Sequence, residues 1–266
     1  MKYEPKSYWE RVHGRNDLSA VGQVGLSAGL NAHLHEIQRR NALRFLNRHG
    51  VQPRDVYEAG AGRGDWFPVW RAIGAQRIVA ADLSDTAVRR LSNLADEAHQ
   101  LDLGAPGSEP EAQYDLVAAM YVLLHIVDDD RFRTALRYLA NLVKPGGYLL
   151  LAEPILLTDR AWIRQQGAES VARRLEAYSM REMELVNVRA ATALAGNPIE
   201  GSRLPRALWS VMWHGLAMAD RSGPTRAMAG RFLRAADPLL CRAGCAPTSK
   251  LALFKRSRQP IVELTP

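Results

Sequence analysis

The most constraining feature of this sequence is a short strand-forming run that ends in closely spaced glycines. Residues 56–59 read Val-Tyr-Glu-Ala, and glycines follow at Gly60, Gly62 and Gly64. β-Branched and aromatic residues favour a strand, and glycine permits a sharp turn in which the backbone comes close to a ligand. A second apolar run, residues 78–81, ends on Asp82. The pattern predicts an α/β fold with a nucleotide site where these strands end.

The spacing of the glycines indicates which kind of nucleotide fits. A dinucleotide-binding turn has glycine at its first, third and sixth positions, whereas the sixth position counted from Gly60 is Asp65. A carboxylate there repels a pyrophosphate, which binds bare amide groups at a helix N-terminus. This argues against NAD and FAD. S-adenosylmethionine carries a sulfonium, an ammonium and no phosphate, so a turn between Glu58 and Asp65 suits it, and Asp82 can accept both ribose hydroxyls.

Three further segments follow the glycine turn in a recognisable order. They are residues 99–103 (His-Gln-Leu-Asp-Leu), residues 114–125 (ending in Leu-Leu-His) and residues 142–153, which contain Lys-Pro-Gly-Gly. Together with the glycine turn and Asp82, they resemble the class I S-adenosylmethionine-dependent methyltransferases over about Asp55 to Pro154. The resemblance implies a doubly wound, Rossmann-like α/β sheet of seven strands in the order 3-2-1-4-5-7-6.

The resemblance also implies a cofactor site at the carboxyl ends of the strands. Asp82 would hold the ribose, Asp102 the adenine amino group, and the backbone at Met120 the methionine amino group. Trp9 resembles the tryptophan that packs near the cofactor in small-molecule members, with a helix anchor on the sheet edge as its alternative role. The full expected set is Trp9, Glu58, Gly60, Ala61, Gly62, Gly64, Asp82, Leu83, Asp102, Leu103 and Met120.

Histidines are the candidates for handling the acceptor. His125 follows the fourth predicted strand, and an imidazole with an ordinary pKa near 6.5 suits proton transfer at neutral pH. Its apolar neighbours leave open that it only packs or bonds to backbone. His33 and His35 on the lead-in helix, and His214 in a later helix, are candidate substrate contacts, with solvated surface positions as the alternative.

The chain divides into an N-terminal helical lead-in (residues 1–50), a Rossmann-like core (51–196 and 248–258) and a helical insertion (197–247) before the last strand. We expect the insertion to be core, a lid or a subunit interface, the last of which would allow a homodimer. The predicted strands are residues 55–59, 77–82, 99–101, 114–119, 147–153, 184–189 and 251–255. The predicted helices include residues 30–46, 86–98, 131–143 and 159–180.

Composition narrows the class of partner. The formal charge is +7, but arginines such as Arg39, Arg89 and Arg173 are spread along the chain, which favours solvated helix faces over a phosphate-binding groove. We therefore expect no nucleic-acid partner. No apolar run is long enough for a membrane span and the N-terminus lacks a signal-peptide pattern, so we expect a cytoplasmic protein. Cys241 and Cys245 are expected to be reduced thiols.

No metal is expected, because residues 128–130 (Asp-Asp-Asp) suit a helix cap better than a ligand set. The family members that methylate nucleic-acid bases place a distinctive proline-containing sequence after the fourth strand, and residues 118–121 (Ala-Ala-Met-Tyr) lack it. We predict O-methylation of a small molecule: a sugar, phenol or carboxylate of secondary metabolism. The alternatives are an N-methyltransferase acting on a small amine or a protein α-amino terminus, and a non-catalytic regulator that binds the cofactor.

Overall fold

Five parallel strands form the centre of the sheet. The last strand of the chain pairs antiparallel with the fifth of these, and the strand before it pairs antiparallel with the last. The computed structural model describes residues 3–15, 22, 25–110, 112–156, 160–165, 168–192, 203–242 and 248–258. Across the sheet of these residues, the strands follow the order Glu97–Gln100, Arg77–Asp82, Asp55–Ala59, Tyr114–Met120, Val143–Leu156, Ser249–Arg256 and Met183–Ala190. Since the last two of these are the seventh and sixth strands of the core, the predicted order 3-2-1-4-5-7-6 is confirmed.

The strands are β1 (Asp55–Ala59), β2 (Arg77–Asp82), β3 (Glu97–Gln100), β4 (Tyr114–Met120), β5 (Val143–Leu156), β6 (Arg160–Gln165), β7 (Ala168–Arg174), β8 (Met183–Ala190) and β9 (Ser249–Arg256). The helices are α1 (Pro5–Gly14), α2 (Ala28–Arg48), α3 (Phe67–Ala72), α4 (Asp85–Leu91), α5 (Asp129–Leu142), α6 (Arg203–Ala219) and α7 (Gly223–Arg242). Short 3-10 turns cover Leu123–His125 and Leu175–Tyr178.

Both faces of the central strands are buried, which explains why their sequences are mostly apolar. Successive side chains of a strand point to opposite faces. Leu116 accordingly packs in one core cluster with Phe45 and Trp70, whereas Val117 packs in the other with Leu139. The sheet therefore has a hydrophobic core on each side, and its carboxyl edge remains available for a site.

The predicted helix over residues 159–180 is wrong. Residues 160–165 and 168–174 form the antiparallel hairpin β6–β7, and the chain reaches a short 3-10 turn only at Leu175. The end of β5 supplies the reason, because Ile155 and Leu156 pair in parallel with Arg173 and Arg174. An extended β5 offers backbone hydrogen bonds that local helical propensity did not outweigh.

The predicted helix over residues 86–98 is too long. Helix α4 ends at Leu91, and the chain turns at Asp96, whose carboxylate accepts a hydrogen bond from Ile78 N at 2.7 Å. Glu97 then pairs with Val79, so β3 begins two residues before the predicted start. Asp128 caps α5 as predicted, since its carboxylate accepts from Asp130 N and Arg131 N.

The described part of the insertion, residues 203–242, consists of α6 and α7. Leu216 and Leu233 pack with Leu30, Leu34 and Ile37 of α2. The carboxylate of Asp220 also accepts from the amide and hydroxyl of Ser27, which caps α2. These helices are therefore joined to the lead-in. Residues 197–202 and 243–247, the latter including Cys245, lie outside the described residues. Among those described, no helix combines the length and apolar character needed to cross a bilayer.

Leu139→Ala should lower the free energy of unfolding by about 2–5 kcal/mol, because it leaves a cavity under the sheet. Leu139 is completely buried, whereas Leu94 is 53% exposed. Leu94→Ala is the matched control and should change stability by less than about 0.5 kcal/mol. Urea unfolding of both variants measures the difference. Equal losses in the two variants would contradict the described packing.

Candidate functional site

A cavity of about 780 Å³ lies at the carboxyl ends of β1, β2 and β4, where α1 and α2 also contribute to its wall. Most of the predicted cofactor residues line it together: Trp9, Gly60, Ala61, Gly62, Asp82, Leu83, Asp102, Leu103 and Met120. His35 and His125 line it as well. Parallel strands end at the same edge of a sheet, so side chains distant in sequence meet there.

The glycine turn is tightly packed against the loop that follows β4. Gly60 has φ of +65°, and a Cβ at this position would lie 2.4 Å from Cγ2 of Val122. Gly62 has φ of +56°, and its amide donates a 2.8 Å hydrogen bond to Oδ2 of Asp82. A side chain at Gly60 would clash with this loop as well as strain the backbone.

The two strand-end acids are held in defined orientations. Asp82 is buried, and its Oδ1 accepts from Ser84 N at 2.9 Å. Asp102 is more exposed; its Oδ2 lies 2.6 Å from Nη2 of Arg131, and its Oδ1 accepts from Gly104 N. A carboxylate oxygen accepts more than one hydrogen bond, so both acids retain acceptor capacity toward the cavity.

Tyr121 follows Met120 and has an unusual backbone conformation. Its φ is +62°, the one positive φ found at a non-glycine residue in the described chain. A conformation of this kind costs about 1–3 kcal/mol and persists only where surrounding contacts hold it. Its hydroxyl bonds to Ser249 Oγ at 2.7 Å and accepts from Gln38 Nε2 at 3.2 Å. These contacts tie the end of β4 to β9 and α2.

His125 ends the 3-10 turn after β4 and is half-buried. Its ring meets the ring of Trp9 edge-on, with centroids 4.7 Å apart. Burial lowers the pKa of His125 to about 4, and the backbone of Glu169 opposes that shift more weakly. The imidazole is therefore neutral at physiological pH, and its Nδ1 has no hydrogen-bond partner within the described residues.

Four predicted residues lie away from the cavity wall. Glu58 is buried behind the turn and accepts a hydrogen bond from Nε1 of Trp70, and burial raises its pKa to about 8. Gly64 faces the ring of Phe67. His33 packs against Gly230, and the exposed His214 bonds to the carbonyl of Ser210. The alternation of side chains along a strand explains the orientation of Glu58, because the side chains on either side of it point to the opposite face of the sheet.

The sequence reasoning missed His13, which is 5% exposed and lines the cavity. Its Nε2 lies 4.0 Å from Oδ1 of Asp82. Burial lowers the pKa of His13, whereas the charge of Asp82 raises it. The signal was present in the spacing, since residues four apart share a helix face, and His13 lies one turn after Trp9 with ring centroids 5.9 Å apart.

Several buried polar atoms around the cavity have no hydrogen-bond partner in the described structure. They are Nδ1 of His13, Nδ1 of His125, the hydroxyl of Tyr3, and Nε and Nη1 of Arg63. Nε of Arg63 lies 3.5 Å from Asp65, at ion-pair distance. Buried polar groups are nearly always hydrogen-bonded in native proteins. Their convergence on one cavity indicates a polar ligand there. No group of three or more metal-ligating side chains is arranged to hold a metal among the described residues.

The comparisons with known proteins agree with this geometry. A family model described as a methyltransferase domain matches residues 30–196. A curated mRNA cap guanine-N(7) methyltransferase from Caenorhabditis briggsae is 24% identical over 147 residues, which span 48% of this chain and 38% of that protein. This chain thus aligns with less than half the length of that relative.

Solved structures share the fold at low sequence identity. The DhpI-SAM-HEP complex is 20% identical, with a TM-score of 0.52 over 70% of this chain and 90% of that chain. The N-methyltransferase NodS from Bradyrhizobium japonicum WM9 is 16% identical, with a TM-score of 0.51 over 84% and 97% of the respective chains. These similarities show a common architecture.

Histidine NMR should find that His125 stays neutral down to about pH 4, because burial penalises its charged form. The unfolded chain has an ordinary histidine pKa near 6.5 and so binds more protons than the folded chain between these pH values. Stability should therefore fall as the pH drops from about 6.5 to 4, and His125→Gln should flatten that slope. The variant also assigns the His125 resonance. A midpoint near 6.5 for that resonance would contradict the described burial.

Proposed function

This chain belongs to the class I S-adenosylmethionine-dependent methyltransferases, and we propose that it transfers a methyl group to an oxygen of a small molecule held in the cavity beside His125. The observation that carries the proposal is the neutral imidazole, which borders the same cavity as the glycine turn and the two strand-end acids. A sugar, a phenol or a carboxylate of secondary metabolism fits this description.

The residues around the glycine turn fit the cofactor. Asp82 would bind the ribose hydroxyls, and Asp102 with Leu103 would bind the adenine. The backbone at Met120 and the guanidinium of Arg63, whose Nη1 has no hydrogen-bond partner in the described structure, would meet the charged amino-acid end. When bound, S-adenosylmethionine supplies a methyl group on a sulfonium that is already a good leaving group. The protein then has to align the acceptor, exclude water and receive a proton.

His125 is suited to receive that proton from a hydroxyl acceptor. A neutral imidazole has one ring nitrogen that accepts a hydrogen bond. With a pKa of about 4 it is a weak base toward a free hydroxyl, but a hydroxyl becomes strongly acidic as its oxygen gains the methyl group. Trp9, edge-on to the ring, fixes the imidazole plane. Positioned bases of this kind contribute about 10²–10⁴-fold.

The distribution of charge supports a small-molecule acceptor rather than a nucleic acid. Many surface arginines form ion pairs with neighbouring acids, including Arg71 with Asp96, Arg77 with Glu97, Arg234 with Glu36 and Arg256 with Glu182. Paired arginines are less available to phosphates than a free basic groove. The cap methyltransferase relative aligns over only part of its own length.

An amine acceptor is the second candidate, and the carboxylates of the cavity favour it. Asp65 and Glu169 line the same cavity as the aromatic rings of Tyr3 and Trp9. Carboxylates and aromatic faces both attract ammonium groups. An amine needs no strong base after it loses its own proton to solvent, so His125 would matter less for it. The two candidates therefore differ in how they depend on His125.

Asp82→Asn should weaken S-adenosylhomocysteine binding by about 10–100-fold, because hydrogen bonds to a charged group contribute about 1.5–3 kcal/mol. Isothermal calorimetry measures the affinity, and circular dichroism checks folding, since Asp82 also accepts from Gly62 and Ser84. Asp85→Asn is the control, as Asp85 pairs with Lys6 at 3.4 Å on the surface. Absence of binding to the wild-type protein would reject the proposed cofactor.

His125→Gln should lower kcat by about a hundredfold with a hydroxyl acceptor and by less than about threefold with an amine. A panel of sugars, phenols, carboxylic acids and amines, with release of S-adenosylhomocysteine as readout, identifies the acceptor class. His214→Gln is the control, because that side chain is exposed on α6. Cofactor binding without turnover on any acceptor would favour a non-catalytic regulator.

A further inference from the structure

Two buried ionisable side chains hold the loop that presents His125. The first is Glu153 on β5, which is completely buried. Its Oε1 accepts from Val122 N at 3.0 Å and from Leu123 N at 2.8 Å, and its Oε2 accepts from Leu124 N at 3.0 Å. These amides open the 3-10 turn, and the first amides of such a turn have no partner within it. Glu153 supplies that partner.

The second is Arg173, near the end of β7, whose side chain is 4% exposed. Its Nη2 donates to the carbonyl of Ile126 at 3.0 Å and to that of Val127 at 3.3 Å. The same guanidinium forms an ion pair with Asp129 at 3.0 Å and stacks over the ring of Phe132, with 4.0 Å between the guanidinium carbon and the ring centroid. Arg173 therefore binds the loop just after His125.

The loop is thus bonded on both sides of His125, to a carboxylate through its N–H groups and to a guanidinium through its carbonyls. Burial raises the pKa of Glu153 to about 8, and the three backbone N–H donors and the charge of Arg173 oppose that shift more weakly. Arg173 reaches this position because the end of β5 continues beyond β9 and pairs with the hairpin. A planar guanidinium can donate to several acceptors at once, which an ammonium does less well.

We propose that Glu153 and Arg173 are positioning residues that fix the backbone of residues 122–127 and so orient His125 toward the acceptor. The hairpin β6–β7 is then part of the machinery that positions the imidazole. This inference rests on the proposed role of His125. Its consequence for kcat applies to a hydroxyl acceptor, whereas its consequence for the backbone under the ring is the same for any acceptor.

The variants Arg173→Gln, Arg173→Lys and Glu153→Gln test the proposal, with Arg174→Gln as matched control. Arg174 is the next residue of the same strand, but its exposed side chain pairs with Glu176. Four measurements apply to each folded protein: amide hydrogen exchange of residues 122–125, NMR titration of His125, calorimetric affinity for S-adenosylhomocysteine, and kcat and KM with a hydroxyl acceptor found in the screen.

Arg173→Gln and Glu153→Gln should speed exchange of these amides at least tenfold and raise the pKa of His125 by at least one unit toward 6.5, because the loosened loop admits water. They should lower kcat at least tenfold while the affinity for S-adenosylhomocysteine changes less than threefold. Arg173→Lys, which keeps the charge, should recover part of the loss, and Arg174→Gln should match wild type. If one variant fails to fold, the same measurements on the other variants decide whether the proposal holds.

A purely structural role predicts a different result. In that case the variants would melt at lower temperature, yet the folded protein would keep wild-type loop exchange, His125 titration and kcat, and this outcome would overturn the proposal. Failure of the underlying methyltransferase assignment is distinguishable, because it would appear as absent cofactor binding in wild type. Exchange and titration report on the loop without any acceptor.

Discussion

The contact between Gly60 and Val122 is the constraint on which the rest of the site depends. With a side chain at Gly60, the turn after β1 could not lie against the loop after β4, because the added carbon would overlap Val122. Because these two loops approach closely, the glycine turn, Asp82 and the start of the loop after β4 all line one cavity. The missing side chain therefore sets the distance between the cofactor end and the His125 end of the site.

Two buried ionisable side chains hold a loop in this molecule. Glu153 and Arg173 bond the backbone of the loop around His125, whereas Glu58 lies behind the glycine turn and bonds the side chain of Trp70. Burying a polar group is costly unless it is hydrogen-bonded. Glu153 and Arg173 meet that requirement by bonding backbone groups that the 3-10 turn and the residues after it leave open. Such bonds are directional, so they fix loops that hydrophobic packing alone would leave less precisely defined.

The lead-in is joined to the core through polar contacts as well as apolar ones. Glu10 accepts from Ser84 and Thr86 at the start of α4, and this docks α1 beside the end of β2. Trp9 and His13 then face the cavity from the same side of α1. Helix α2 brings His35 and Gln38 to the wall of the same cavity and packs against α6 and α7. Contacts with α4 thus hold α1 at the site, and contacts with α6 and α7 hold α2 there.

The sequence by itself determined the apolar strands, the glycine turn and the strand-end acids such as Asp82 and Asp102, because these are local patterns, and its resemblance to a known family implied the strand order. It also indicated that Trp9, Met120 and His125 would lie near one edge. Only the tertiary structure decided that residues 160–165 and 168–174 pair as a hairpin, since that depends on pairing with a distant strand. It likewise decided that Glu58 turns away from the cavity while His13 and Arg173 reach positions beside it or behind it. The spacing of Glu58 and His13 is a local pattern, but which face of a strand or helix is buried, and against which partner, is set by neighbours remote in the chain.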